Sequence, residues 1–184
     1  MIIGTHNSMT YLDPKKWWFK LFPFFWRCQK KTIQEQWAAG VRCFDLRVTF
    51  EEYGKPVFAH GIVRLKGDVY RTIAEIVSLA RQRDERVCIR LVCECLSADD
   101  DVAALFKTLC FRLEKLTNLV PFEGRRKSGW KLLYDFKYKP KLVQHVGSMA
   151  PDARWYEKFM PRLYAKRMNE HNQPQEDISL YDFI

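Results

Sequence analysis

The chain has 184 residues with a hydrophobic fraction of 47% and an aromatic fraction of 15%, enough apolar surface for one core and too much for a disordered tail. A single domain spanning residues 1–184 is therefore expected. The formal net charge of +9 and a pI near 9.3 favour anionic partners: nucleic acid, an acidic membrane surface or a phosphorylated substrate.

No lysine/arginine block exceeds a few residues, which excludes a basic arm. No uncharged apolar run reaches about 18 residues, so no membrane-spanning helix is expected. The chain enters a motif within four residues of Met1, which leaves no room for a secretory signal, and a soluble or peripheral protein is expected. The six cysteines, Cys28, Cys43, Cys88, Cys93, Cys95 and Cys110, form no CxxC pair and most lie in or beside apolar strand-like runs. Reduced thiols are the expected state, with no metal centre.

Met1 to Gly4 predicts a short first strand, ended by the THNS loop. Residues 14–31, PKKWWFKLFPFFWRCQKK, are dense in Trp and Phe between lysines, and Pro23 forbids one unbroken helix there. Thr32 with Glu35 three residues on is a capping-box pattern, and Gly40 suits the end of that helix. Val41 to Phe50 predicts a strand, followed by a turn over residues 53–56 and a strand at residues 57–59. Residues 68–83 carry Val69, Ile73, Ile76, Val77 and Ala80 at helical spacing.

Arg86 to Leu96 predicts a strand rich in branched residues. Ser97 would cap the next helix, with Asp99, Asp100 and Asp101 at its positive end. Its expected buried stripe is Val102, Leu105, Phe106, Leu109, Leu113 and Leu116. Further strands are expected at residues 130–138, 163–168 and 178–184. Six or seven strands alternating with helices mean an α/β fold with a parallel sheet.

In such a fold, chemistry gathers where strands end, because side chains there leave the packed core. Three predicted strand ends carry His6, then Asp45 and Arg47, then His60. A histidine pair on either side of one bond can remove a proton and return one near neutral pH. Each histidine alone reads more readily as a structural or surface residue; the pair at strand ends favours chemistry. Strand alternation puts Asp45 and Arg47 on one face, either as a surface ion pair or as a guanidinium ready for phosphate oxygens. His145, in a stretch read as helical, and His171, in one read as loop, receive no role.

GTHNS, the Trp26-x-x-Gln29 segment, TIQEQWAAGVRCFDLRV and AHG together resemble the catalytic X region of phosphatidylinositol-specific phospholipase C, closest to its metal-independent bacterial branch. The resemblance covers residues 1–61 and returns at ISLYDFI. It implies a small, distorted or incomplete (β/α) TIM-type barrel acting on a phospholipid headgroup with neither metal nor cofactor. It implies His6 as the base that activates an inositol hydroxyl and His60 as the acid that protonates the diacylglycerol oxygen. Arg47 matches the position of a metal carboxylate in calcium-dependent relatives, Asp182 the acid that orients the first histidine, and Asp45 the acid of a D-x-R motif.

Asn7, a candidate for substrate contact, stands where bacterial relatives usually carry Asp. That removes a negative charge behind His60 and implies lower activity or a shifted pH response. Val92 carries neither the acid of calcium-dependent members nor the lysine of some bacterial ones. A barrel of this type usually has ~250 residues, so the chain implies a reduced barrel or a start upstream. Trp17, Trp18, Phe24, Phe25 and Trp26 read either as core or as an interfacial segment whose neighbouring lysines meet anionic lipid. Two other functions share these features: a glycerophosphodiester- or sphingomyelin-type phosphodiesterase, and a weakened homologue acting as a basic membrane-binding module. Nucleic acid is not the expected partner.

Overall fold

The computed structural model describes residues 2–94, 100–117, 119–123, 130–134, 142–145, 154–157, 161–171 and 178–183. In chain order the elements are β1 (Ile2–Thr5), α1 (Ile33–Ala38), β2 (Cys43–Phe50), β3 (Pro56–His60), β4 (Val63–Arg64), α2 (Val69–Gln82), β5 (Cys88–Cys93), α3 (Asp100–Thr117), β6 (Val120–Glu123), β7 (Trp130–Tyr134), β8 (Leu142–His145), α4 (Pro161–His171) and β9 (Ile178–Tyr181).

Five strands run parallel in the order β8-β9-β1-β2-β5. The expected all-parallel sheet is corrected to a mixed one. β7 lies antiparallel to both β5 and β6, and β3 leaves β2 as an antiparallel partner. The physical reason is chain length: residues 124–129 are too few for a crossover, which takes about a dozen or more, so β6 and β7 must reverse direction. Pro121 fits the edge position of β6. The strand path among the described residues is open, ending at β6 and β8, so they make a mixed α/β sheet rather than a closed ring.

Local chemistry explains most elements. Thr32 caps α1 by accepting from the Glu35 backbone N–H while the Glu35 carboxylate accepts from the Thr32 N–H, and Gly40 ends it at φ +92°. Asp68 caps α2, which buries Val69, Ile73, Ile76, Val77 and Ala80. On α3, Phe106, Leu109 and Leu113 are buried, Val102 and Leu105 are half-buried, and Leu116 is exposed. Trp37 of α1 stacks on Phe44 of β2 with planes 9° apart, and the Arg42 guanidinium lies 4.2 Å from the Trp37 ring centre.

The strand expected at residues 163–168 is instead part of α4. Pro161 at the first helical position, followed by Arg, Leu, Ala, Lys and Met with no β-branched residue, favours helix over strand. His145 sits in β8 rather than in a helix, and His171 ends α4. Cys95, Ser97 and Asp99, and the tail of the strand predicted for residues 130–138, lie outside the described residues. The other five cysteines form no disulfide. Among the described residues no helix is long and apolar enough to cross a membrane.

Gly4 sits where β1 passes between β9 and β2. A Cβ there would stand 2.4 Å from Leu180 Cδ2 and 2.9 Å from both Cys43 Cβ and the Cys43 carbonyl oxygen. Two of these contacts belong to the neighbouring strand's own frame and cannot swing away. Gly4→Ala is therefore expected to cost about 1–3 kcal/mol, read as a lower midpoint in urea unfolding. An unchanged midpoint would show that β1 is not clamped as described.

Candidate functional site

Strand register builds the site. Thr5 pairs with Tyr181 on one side and with Phe44 on the other. The next residues along three parallel strands are therefore His6, Asp182 and Asp45, side by side where the strands end. On the far side of β2, Asp45 pairs with Arg90 of β5. The chain holds this arrangement with backbone bonds from His6 N–H to Tyr181 O (2.8 Å) and from Ser8 N–H to Asp45 O (2.8 Å).

His6 is buried, and its Nδ1 lies 2.7 Å from Asp182 Oδ1. Its Nε2 lies 2.5 Å from Arg47 Nη2. A guanidinium only donates, so this contact requires a lone pair on Nε2 and leaves the proton on Nδ1, donated to Asp182. The ring is thus held in one tautomer with its basic nitrogen turned toward the cation.

Asp45 is fully buried and accepts from the Asn7 backbone N–H (3.0 Å), Arg47 Nε (3.1 Å) and Arg90 Nη1 (3.1 Å). Burial alone would raise its pKa. Arg90 and Arg47, helped by His6 and the Asn7 N–H, outweigh that and hold the carboxyl well below the usual carboxylate range. Burial likewise opposes the charge on Arg47, but Asp45 and Glu94 outweigh it and raise the pKa above its ordinary value. The second anchor of Arg47 is Glu94 just past β5, where Nη1 donates to Oε1 at 2.6 Å. The other Glu94 oxygen accepts from the Gly61 N–H at 3.2 Å, which ties Arg47 to the residue after His60.

His60 ends β3, with its ring centre 6.3 Å from that of His6 and the two planes at 88°. Its Nδ1 lies 2.5 Å from the Trp26 carbonyl, an acceptor only, so Nδ1 carries the proton and Nε2 faces away. Burial pushes the His60 pKa below its ordinary value. The Trp26 carbonyl works against this shift, and His6 and Arg47 reinforce it. His6, Asp45, Arg47, Asp182 and His60 therefore converge in space. Chemically, the cluster offers an oriented imidazole lone pair, a fixed guanidinium and a second imidazole across a short gap.

The Asn7 backbone is left-handed (φ 46°), and its fully buried amide nitrogen and oxygen have no hydrogen-bond partner. The side chain is closed off from solvent, so the substrate contact expected of Asn7 finds no exposed amide here. The site also uses residues that the sequence reading passed over. Arg90 interrupts an apolar strand and Glu94 follows its end, the same signal that singled out Asp45 and Arg47. Gln29 Nε2 donates to the carbonyls of His6 (3.1 Å) and Tyr181 (2.8 Å).

Cys28 Sγ completes a set with His6 and Asp182 whose donor atoms lie within 4.8 Å of one another, the geometry a metal ion would need. Burial, then Asp182, pushes the Cys28 thiol well above its ordinary pKa, so it stays a neutral thiol poorly suited to metal.

The aromatic segment folds as two 3-10 turns, Trp17–Leu21 and Pro23–Phe25, broken at Phe22 before Pro23. Trp17, Trp18, Phe24 and Phe25 are 69%, 44%, 53% and 71% exposed. Trp26 is not a surface residue: it is 2% exposed, and its Nε1 donates to the Phe19 carbonyl at 3.0 Å. The correction has a physical cause, since the indole N–H needs an acceptor and finds it where the segment folds back on itself. A cleft of about 550 Å³, lined by Trp18, Phe22, Phe25, Trp26 and Ile62 among others, opens onto His60 and Gly61.

No family model and no curated protein matches the chain. Among solved structures, the phosphatidylinositol-specific phospholipase C from Listeria monocytogenes is similar at a TM-score of 0.62, over 99% of this chain and 87% of that one, with 16% identity. The S. aureus phosphatidylinositol-specific phospholipase C overlaps 69% of this chain and 42% of its own, at a TM-score of 0.49 and 16% identity. The chain thus has a mixed α/β fold similar to that of a bacterial phosphatidylinositol-specific phospholipase C.

Proposed function

We propose that the protein, as a single catalytic domain with a reduced (β/α) barrel, cleaves phosphatidylinositol-type phosphodiesters at a membrane surface by metal-independent acid–base chemistry. The observation that carries this reading is the T-shaped pair His6 and His60, 6.3 Å apart, with the Arg47 guanidinium on the basic nitrogen of His6. Tetrahedral phosphate is the ligand that such a trio suits: one imidazole for the attacking oxygen, one for the leaving oxygen, and a cation for the charge between them.

In this mechanism His6 Nε2 takes the proton of an inositol hydroxyl, and that oxygen attacks the neighbouring phosphorus. The bond from phosphorus to the diacylglycerol oxygen breaks, and His60 Nε2–H supplies the proton to the departing alkoxide. The products are a cyclic inositol phosphate and diacylglycerol, so the reaction is a lyase step. Asp182 keeps His6 in the required tautomer and stabilises the imidazolium that forms. Asp45 and Glu94 hold Arg47 beside the pair, and the non-bridging oxygens take its Nη2–H from His6, which frees Nε2 to accept the hydroxyl proton. Arg47 supplies the charge stabilisation that a divalent ion supplies in other phosphodiesterases. The aromatic cleft beside His60 suits the apolar end of the leaving group.

His6→Ala and His60→Ala are each expected to lower kcat on phosphatidylinositol vesicles by about 10²–10⁴-fold, and Arg47→Ala by about 10²–10³-fold; His6→Ala and Arg47→Ala, which leave the buried Asp182 and Asp45 short of a partner, should also lower the unfolding midpoint. The same assay with chelator should lose nothing; activity abolished by EDTA, or retained in His6→Ala, would overturn the mechanism.

The pH response follows from His60. It must be protonated to act as acid, and its pKa lies below the ordinary value of about 6.5. The protonated fraction therefore falls as pH rises through that lowered pKa, and kcat/KM should decline on the alkaline side from below pH ~6.5. Asn7→Asp, by adding negative charge near the pair, should move that limb upward. A substrate with a phenolate leaving group needs little acid assistance, so with it the limb should flatten.

Trp17→Ser removes exposed apolar area from the interfacial segment. Sedimentation with anionic vesicles should show weaker binding, while cleavage of a water-soluble substrate stays within about twofold, since the Trp17 side chain does not line the cleft at His60.

A further inference from the structure

A second cleft, of about 580 Å³, lies on the other side of the Pro23–Phe25 turn, between it and α4. Its floor is apolar: Pro23, Phe24, Leu163 and Phe183. Its remaining lining residues are Arg27, Lys30 and Arg162, three cations and no carboxylate among the described residues. None of the three makes an ion pair among the described residues, and the half-buried Arg27 has its Nε enclosed without a hydrogen-bond partner. Cations gathered round a greasy slot repel one another, and Arg27, whose guanidinium lies 5.0 Å from the Trp26 ring centre, keeps a partly desolvated Nε–H unsatisfied. An anion attached to a hydrocarbon chain relieves both problems.

From these features we infer that this cleft binds an anionic amphiphile, a carboxylate or phosphate on an acyl chain, as a second ligand separate from the substrate cleft at His60. The chain lies on Phe24, Leu163 and Phe183, and the head group meets Arg27, Lys30 and Arg162. The volume is in the range of pockets that enclose small organic ligands.

The site also touches the acid–base pair from behind. Phe183 follows Asp182, which holds His6, and its N–H donates to the Cys28 carbonyl at 2.8 Å. Arg27 follows Trp26, whose carbonyl holds His60. An occupant of the cleft therefore presses on residues one position away from the groups that orient both imidazoles. The binding stands independently of the proposed phosphodiesterase reaction, and only its effect on turnover rests on that reading.

The test uses the full chain and monomeric dodecyl phosphate, a monoester that the proposed reaction does not cleave, in isothermal titration calorimetry. Saturable binding at this cleft is expected, beside a second site at His6 and Arg47 that Arg47→Ala removes. Binding at the cleft should survive Arg47→Ala, which disables the phosphate position at His6, and weaken about tenfold in Arg162→Glu, a change of one charge-assisted contact. Leu163→Trp, which fills the slot from an exposed helical position, should abolish it even if Arg162→Glu disturbs α4. Dodecyl maltoside and inorganic phosphate should each bind at least tenfold more weakly, since each supplies only half of the interaction.

Dodecanoate monomers and vesicles containing phosphatidic acid separate a free amphiphile from a bilayer lipid as the source. Capture of either one supports the site. Binding lost in Arg47→Ala, unaffected by both Arg162→Glu and Leu163→Trp, or equal for the neutral amphiphile would overturn the inference. In the Arg47→Ala protein labelled at histidine, where the phosphate position at His6 is disabled, dodecyl phosphate should shift the ring signals of His6 and His60; unmoved signals at saturation would remove the link to the acid–base pair.

Discussion

The position of β1 between two parallel partners is the constraint on which the rest depends. A strand four residues long has few hydrogen bonds of its own, yet it pairs with β9 on one edge and β2 on the other. Gly4 makes the close approach possible, because any Cβ would collide with both neighbours. Because the three strands are parallel and in register, the residues after Thr5, Phe44 and Tyr181 emerge at one level. That register places His6 between Asp45 and Asp182 without any help from loops.

Charge then takes over from geometry. Asp45 and Asp182 are both nearly inaccessible to water, and a lone buried carboxylate would be strongly disfavoured. Two arginines satisfy Asp45, and His6 satisfies Asp182. Buried ion pairs of this kind contribute little net stability, since desolvation cancels much of the attraction. What they contribute is position: each group can be satisfied in only one arrangement. Arg47 illustrates this, with Asp45 on one nitrogen, Glu94 on a second and His6 on the third. A cation held by two carboxylates keeps its place when an arriving anion takes the third nitrogen from His6, which is what electrostatic stabilisation of a transition state requires.

The aromatic turn divides the surface beside this network into two clefts. Phe22 and Phe25 face the one that reaches His60, and Phe24 faces the one that reaches Phe183. Trp26 is the pivot, buried in the core while its carbonyl holds His60 and its neighbour Arg27 reaches the second cleft. A segment with this much exposed ring surface stands up in water only because its ends are tied down. The Thr10 hydroxyl accepts from the backbone N–H groups of both Cys28 and Gln29, at 2.9 Å each, and Gln29 in turn bonds the strand ends.

Patterns that depend on near neighbours were legible in the chain itself. The capping box at Thr32, the buried stripe of α2, the break at Pro23 and the shared face of Asp45 and Arg47 all follow from a few adjacent residues and the geometry of one element. His6, Arg47 and His60 stood out because polar residues at strand ends beside glycine are conspicuous in an apolar background. What tertiary structure alone decided were the partners. That β9 lies beside β1, that Arg90 and Glu94 complete the charge network, that Trp26 turns inward, and that residues 163–168 pack as helix all depend on contacts between segments far apart in the chain. Local composition carries no record of those contacts, because their energy exists only once the strands have met.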